Sequence, residues 1–314
     1  MERMVTVQSP ATVANVVCGF DVLGFALDAP CDELTIKLTS GEGEITINNL
    51  DDFNLPVLPE RNVIGGALLA MMKMLNVKVN FEVFSKKVIK PGSGIGSSAA
   101  SAAGAVVAAN ELLGNIFSRE ELIRFAMEGE FVASGARHAD NIAPCLYGGF
   151  TLVRSHDPLD IVSLNFPELH VVVLHPQIEV RTEDSRAIIR KHVLLKDAIT
   201  QWANFGGLVA GLYAKDYHLI GRSLNDVIIE PVRSVLIPAF SEVKHAALSA
   251  GALGGGISGS GPSVFMLCKS EMDANNTEQA MRKVYKTTGI QFNMHNGLVS
   301  AAGVKIVETK NFDK

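Results

Sequence analysis

The stretch PGSGIGSSAASAAGAVVAANELLG, residues 91–114, constrains this chain more than any other. Gly92, Gly94 and Gly96 occupy alternate positions, and a run of Ala, Ser and Val of helical character follows. Glycine permits positive φ and lets the backbone approach another group with no Cβ between them. The first N–H groups of a helix have no partner inside it. With the helix dipole behind them, they favour an anion. Ser97 or Ser98 falls at that start, where a hydroxyl can donate to phosphate or ligate magnesium. Ala99, Ala100, Ala102, Ala103 and Gly104 would let the helix pack closely. Two structures fit this pattern: a phosphate-binding loop, or a glycine turn leading into a tightly packed helix.

Several standard motifs are excluded. No Lys follows the glycines, so this is not a Walker loop, and the spacing is not that of a dinucleotide-binding turn. No G-x-S-x-G hydrolase elbow occurs. The length of 314 residues suits one large or two ordinary domains. With 47% hydrophobic and 19% charged residues there is material for a sizeable core. A net charge of -5 without any Lys/Arg cluster argues against a nucleic-acid partner. Cys18, Cys31, Cys145 and Cys268 form no C-x-x-C pair and read as reduced core residues of a cytoplasmic protein. The N-terminus lacks the apolar run of a signal peptide, and no segment is apolar enough to span a membrane.

Strands are expected at Met4–Gln8, Leu34–Leu38, Glu44–Asn48, Val77–Phe84, Tyr147–Val153, His170–His175, Val264–Cys268 and Val304–Val307. In the fourth, Val77, Val79, Phe81 and Val83 share a face. Helices are expected over Asn62–Leu75, Arg119–Glu130, Thr182–Ile199 and Trp202–Tyr213, and from Pro238 to a C-cap at Gly251. Ser118 and Glu121 have capping-box spacing. LGGGISGSGPS reads as a loop, and Ser155–Asp160, with its Asp-Pro step, as a domain junction. Strands and helices mix without β-α alternation, which predicts an α+β fold.

Three segments taken together resemble a known superfamily. PGSGIGSSAA from Pro91 is similar to the central motif of the GHMP kinases. SPATVANVVCGFDVLGFAL from Ser9 resembles their N-terminal motif, and GALGGGISGSGPSVFML from Gly251 their C-terminal glycine-rich motif. The resemblance implies a two-domain fold, a ribosomal-protein-S5-like domain over residues 1–155 and a ferredoxin-like domain over 156–314. It implies ATP as phosphoryl donor and Mg²⁺ as metal. Pro91, Gly92, Ser93, Gly94, Ile95, Gly96, Ser97 and Ser98 would cover the triphosphate, with Gly259 and Ser260 from the C-terminal loop and Asn62 at the adenine. Asn62 is equally placed to cap a helix.

EFVASGARHADNIAPCLYGG from Glu130, TEDSRAIIR from Thr182 and PVRSVLIP from Pro231 are similar to the homoserine kinase branch, over essentially the whole chain. That branch implies L-homoserine as substrate and a possible homodimer. An amino acid needs an acid for its ammonium and a guanidinium fork for its carboxylate. Asp21 suits the first role, Arg186 and Arg233 the second. Asn15, Asn141, His138 and Thr182 can fill the remaining polar valences. Each also has an ordinary reading. Arg186 and Arg190, one helical turn apart, could be solvated surface, Asp21 a turn cap and His138 a core histidine.

For Mg²⁺ the family pattern favours Glu130, with Ser98 as second ligand, over Glu128. Several relatives carry an aspartate where Asn141 stands. The resemblance therefore implies that Asn141 orients the hydroxyl with no side chain as full base, adjacent Asp140 being the alternative. Competing functions are a kinase for another alcohol such as mevalonate or shikimate, and a non-catalytic ATP sensor.

Overall fold

Two long antiparallel strands, β1 (Glu2–Ala14) and β2 (Leu23–Ser40), begin the chain in the computed structural model, which describes residues 2–75, 78–180 and 182–312. Along β2, Leu34 and Ile36 are buried while Thr35 and Lys37 are not, the period-2 pattern of a half-covered strand. β3 (Ile45–Asn49), α1 (Val63–Met72) and β4 (Val79–Lys86) follow, β4 lying antiparallel to β2 and parallel to β3. Asn62 caps α1 by accepting from the Ile64 N–H. Next come α2 (Ser97–Leu112), α3 (Arg119–Ser134) and α4 (Ile142–Tyr147). Ser118 and Glu121 form the expected capping box on α3. α2 packs on β1 and β2, and α1 and α3 pack on α2. Its alanines are buried, and a Cβ at Gly104 would strike Ser9 Oγ on β1. β5 (Phe150–His156) pairs with β2 and with β6 (Leu159–Leu164).

The second sheet starts with β7 (His170–Pro176). Helices α5 (Thr182–Ala187), α6 (Leu195–Ala214), α7 (Tyr217–Ser223), α8 (Glu230–Arg233) and α9 (Phe240–Ser249) come before β8 (Gly254–Ile257) and β9 (Val264–Cys268). α10 (Glu271–Lys286) and β10 (Phe292–Leu298) complete a four-stranded antiparallel sheet of order β10-β7-β9-β8. β7 and β9 are nearly all apolar because both faces are covered. Val171, Val173, Phe265 and Leu267 join the core of the first sheet. Val172, Leu174, Val264 and Met266 join a second core with residues of α9 and α10. Phe25 touches Phe150 at 4.9 Å and Phe265 at 5.6 Å between ring centroids, so the two sheets share one packed centre. β11 (Lys305–Phe312) then returns to pair with β1.

The architecture is α+β, and the segments differ from expectation in instructive places. The helix expected over 182–199 is two: α5 ends at Ala187 and α6 starts at Leu195. The intervening run mixes Ile188, Ile189 and Val193 with Arg190, Lys191 and His192, so it offers no continuous stripe to bury. Tyr147 ends α4 rather than opening a strand, because Gly148 and Gly149, both at positive φ, turn the chain there. Asp157 and Pro158 form the turn of the β5–β6 hairpin. Sheet membership therefore does not follow the 155/156 division: the first sheet includes β6 and β11. Val77 lies outside the described residues. Among those residues no helix is long and apolar enough to cross a membrane.

Candidate active site

A cleft of ≈ 530 Å³ opens where the start of α2, the ends of α3 and α5, and the β8–β9 loop converge. Its loop end is made of backbone. Gly92, Gly94 and Gly96 have φ of 72°, 80° and 71°. A Cβ on Gly94 would come within 2.8 Å of Ser258 O, and the Ser258 hydroxyl donates to Gly94 O at 2.7 Å. The Ser263 hydroxyl donates to Ser93 O at 2.6 Å. The two glycine-rich segments are thus stitched together, and the α2 N-terminus faces the cleft through Ser97 and Ser98. Ser93 and Ile95, expected among the contacts, are buried and do not line the cleft. Ser97 is also engaged, donating to Ile89 O at 2.8 Å. Pro91, Gly259 and Ser260 line the opening. Asn62 lines it too, although both ends of its amide are used, by Ile64 N–H and by Pro56 O.

The other end is made of charged side chains. Arg186 forks onto Asp21, with Nη2–Oδ1 at 2.8 Å and Nη1–Oδ2 at 3.2 Å. Asp21, at φ 61°, is held by its own N–H on Asn15 Oδ1 at 3.0 Å. Asn15 Nδ2 in turn donates to Gly259 O at 2.6 Å, so Asn15 ties the N-terminal motif to the β8–β9 loop. Arg233 is buried, donating to Ser185 O at 2.9 Å and Gly259 O at 3.3 Å. Burial, then the like charge of Arg186, push its guanidinium down to about 10. Among the described residues no carboxylate reaches it within ion-pair distance. Burial and the Arg186 charge keep His138 below the usual histidine range, hence neutral at pH 7. Thr182 opens α5, but its side chain lies outside the described residues. Arg190 is exposed, the ordinary surface arginine.

Between the ends stand Glu130, Asp140 and Asn141. Burial raises the Glu130 carboxyl above the carboxylate range, opposed by the adjacent Ser98 hydroxyl and the charge of Lys87. Glu128, the competing choice, instead pairs with Arg137 at 2.6 Å. Asp140 is pushed up to about 7, by burial first and then by the charges of Asp21 and Glu130. Three buried side-chain atoms at this cleft, Glu130 Oε1, His138 Nε2 and Arg186 Nε, have no hydrogen-bond partner. Unmet polar atoms converging on one cavity mark a place for a polar ligand.

Sequence reasoning missed three contributors. Lys87, buried, donates to Asp32 Oδ2 at 2.5 Å, Ser101 Oγ at 2.7 Å and Ser97 O at 3.0 Å, clamping the start of α2. Phe20 lies against both arginines, its ring 5.0 Å from Arg233 Cζ and 5.8 Å from Arg186 Cζ. Thr12 hydrogen-bonds Asn141 at 2.7 Å. A lysine between Lys86 and Val88, a phenylalanine and a threonine carry no local signal of such roles.

The fold and cleft define a small-molecule kinase of the GHMP class. The family described as GHMP kinases N terminal domain matches residues 62–149, and GHMP kinases C terminal matches residues 208–287. Such kinases use ATP as co-substrate. A homoserine kinase of Chloroherpeton thalassium is 45% identical, covering 97% of this chain and 100% of its own. One from Methanocella arvoryzae is 40% identical over 91% of this chain and 92% of its own. The crystal structure of homoserine kinase from Cytophaga hutchinsonii superposes with a TM-score of 0.93 at 50% identity, covering 97% of each chain. The chain belongs to the homoserine kinase family. A Leishmania major mevalonate kinase, in complex with R-mevalonate, shares the fold at 16% identity and a TM-score of 0.72, over 94% of this chain and 96% of its own.

Proposed function

We propose that this kinase transfers the γ-phosphoryl group of ATP to the side-chain hydroxyl of L-homoserine, giving O-phospho-L-homoserine. The observation that carries the substrate is the closed Asp21–Arg186 fork beside Arg233. A zwitterion can open that fork and give every charged group an opposite neighbour: its carboxylate bridges Arg186 and Arg233, its ammonium takes Asp21. Mevalonate or shikimate has a carboxylate but no ammonium, and would leave Asp21 unpaired.

The Gly92–Ser98 loop suits the triphosphate, and Asn62 the adenine end. Glu130 and Ser98 would hold Mg²⁺; the partnerless Glu130 Oε1 fits that role, and two protein oxygens suffice for this ion. Bound there, the ion would neutralise phosphate charge. Phosphoryl transfer asks mainly for positioning, which Asn141 supplies to the hydroxyl without acting as base. An intact carboxylate and hydroxyl at the loop favour catalysis over an ATP sensor. Four free cysteines suit a reducing compartment such as the cytoplasm. The exposed Leu194, Leu195, Ile199 and Trp202 suit a homodimer face.

ADP release from Mg-ATP with L-homoserine, D-homoserine, L-serine, mevalonate and shikimate tests the reading. Strong preference for L-homoserine is expected. Preference for another alcohol overturns the substrate, and ATP binding without turnover of any alcohol favours the sensor.

A further inference from the structure

Thr12 stands at a closed corner of the site and belongs to none of the roles above. It lies on β1 with no exposed surface. Its backbone N–H donates to Ile95 O at 3.1 Å, and its hydroxyl donates to Asn141 Oδ1 at 2.7 Å. Gly96 closes the corner, since a Cβ there would strike Thr12 Oγ1 and lie 3.0 Å from Asn141 Oδ1. One threonine thus touches the phosphate loop through its backbone and the start of α4 through its side chain.

The consequence is a polarity. Asn141 stands at the N-cap of α4, where an asparagine side chain ordinarily accepts from the helix, yet here it makes no such bond. Its oxygen is drawn back to Thr12 instead. Its Nδ2 has no partner among the described residues, and the residue lines the cleft. An amide nitrogen carries two donors and no acceptor.

We propose that Thr12 is a positioning residue that turns the Asn141 amide so that its NH2 group, and not its carbonyl, meets the reacting oxygens. Asn141 then steadies the substrate hydroxyl or a γ-phosphate oxygen by donating to it. It takes no proton from the hydroxyl. A fixed donor of this kind acts where negative charge gathers during transfer. The proposal rests on the phosphoryl-transfer reading of the cleft. Absence of alcohol-dependent ADP release in the unmodified protein would remove that reading, whereas the tests below compare variants against intact turnover.

Thr12→Val keeps the shape and removes the donor. It is expected to lower kcat roughly 10- to 100-fold while the KM values for ATP and L-homoserine change less than about threefold. Thr12→Ser, which restores a hydroxyl, should recover most of the loss. On an Asn141→Ala background, Thr12→Val should have almost no further effect, because a positioning residue acts only through its partner. Full additivity in that cycle, or unchanged kcat in Thr12→Val, overturns the proposal. Asn141→Asp tests polarity independently, even if Thr12→Val folds poorly. It is nearly isosteric but presents an acceptor, so kcat should fall. Turnover at or above that of the unmodified protein would show that an acceptor serves there and would refute the donor assignment.

Discussion

Lys87 and Asp32 meet near the loop end of the cleft with side chains 2% and 5% exposed, whereas Asp21 and Arg186 meet at the opposite end with 31% and 39% exposed. The first pair is almost wholly buried, with Lys87 forming part of the cleft wall. Asp32 also accepts from the Val88 and Ile89 N–H groups at 2.7 and 2.8 Å, and Lys87 spends its other bonds on α2. Nothing can replace either partner without unmaking the strand-to-helix junction. The second pair is a fork open to the cleft, beside a buried arginine that no carboxylate among the described residues reaches, and beside the unpartnered Arg186 Nε and His138 Nε2. A sealed pair fixes backbone, while an open one can exchange its partner for a ligand. Two salt bridges of similar length therefore do different work, and burial of the surroundings tells them apart.

The largest effect that would break this contrast is on stability. Lys87→Met leaves the Asp32 carboxylate buried without its cation and should cost about 3–5 kcal/mol. Urea unfolding checks this, and a loss below about 1 kcal/mol would mean the sealed pair is no scaffold. At the open end the effect should move from stability to substrate. Arg233→Met is expected to lower kcat/KM for L-homoserine by roughly 100-fold or more, with the KM for ATP nearly unchanged. Its stability should fall little, because a buried charge without a carboxylate is exchanged for an apolar chain. Equal losses in both substrates would merge the two ends into one.

The smallest effect lies between them, at Asp140. Its folded carboxyl, at about 7 against the ordinary 3.8, binds protons that the unfolded chain has already released. Stability contributed by this group therefore falls as pH rises from about 4 to about 7. Asp140→Asn should stabilise the protein by about 1–3 kcal/mol at pH 8 and hardly at all at pH 4. Melting temperatures at the two pH values decide this. Near-normal turnover in the same variant would agree with Asn141 acting without a base. A loss of several orders of magnitude in kcat, with the fold intact, would make Asp140 the base.

The loop end was far more legible in the sequence than the head-group end. Glycines at positive φ and a helix start are local features, written in adjacent residues. Asp21, Arg186 and Arg233 come from three distant segments, and only family likeness drew them together. Asn15 reads as a ligand residue and lines the cleft, and its amide is also engaged at both ends, holding Asp21 within its own motif and reaching Gly259 O in the other. Among the elements, β7 and β9 were readable as continuous apolar runs. α10 was not, because its buried Ala274, Thr277, Met281 and Tyr285 form a thin stripe on a polar helix. β8 read as a loop since three of its four residues are glycine; a Cβ on Gly255 would collide with Phe265 O across the pair. Glycine there is chosen for close approach and carries no strand propensity to detect.

The pairing of β1 with β11 has a consequence for how this chain is made. Glu2 meets Phe312 across the sheet, and Gln8 meets Lys305. At roughly 5–20 residues per second, a ribosome needs about 15–60 s to synthesise what lies between β1 and β11. Throughout that interval β1 can pair on the β2 side only, with its opposite backbone edge open in a crowded cell. The early motif is thus made long before the sheet that carries it is closed, and until β11 arrives that edge is a template on which another chain can pair.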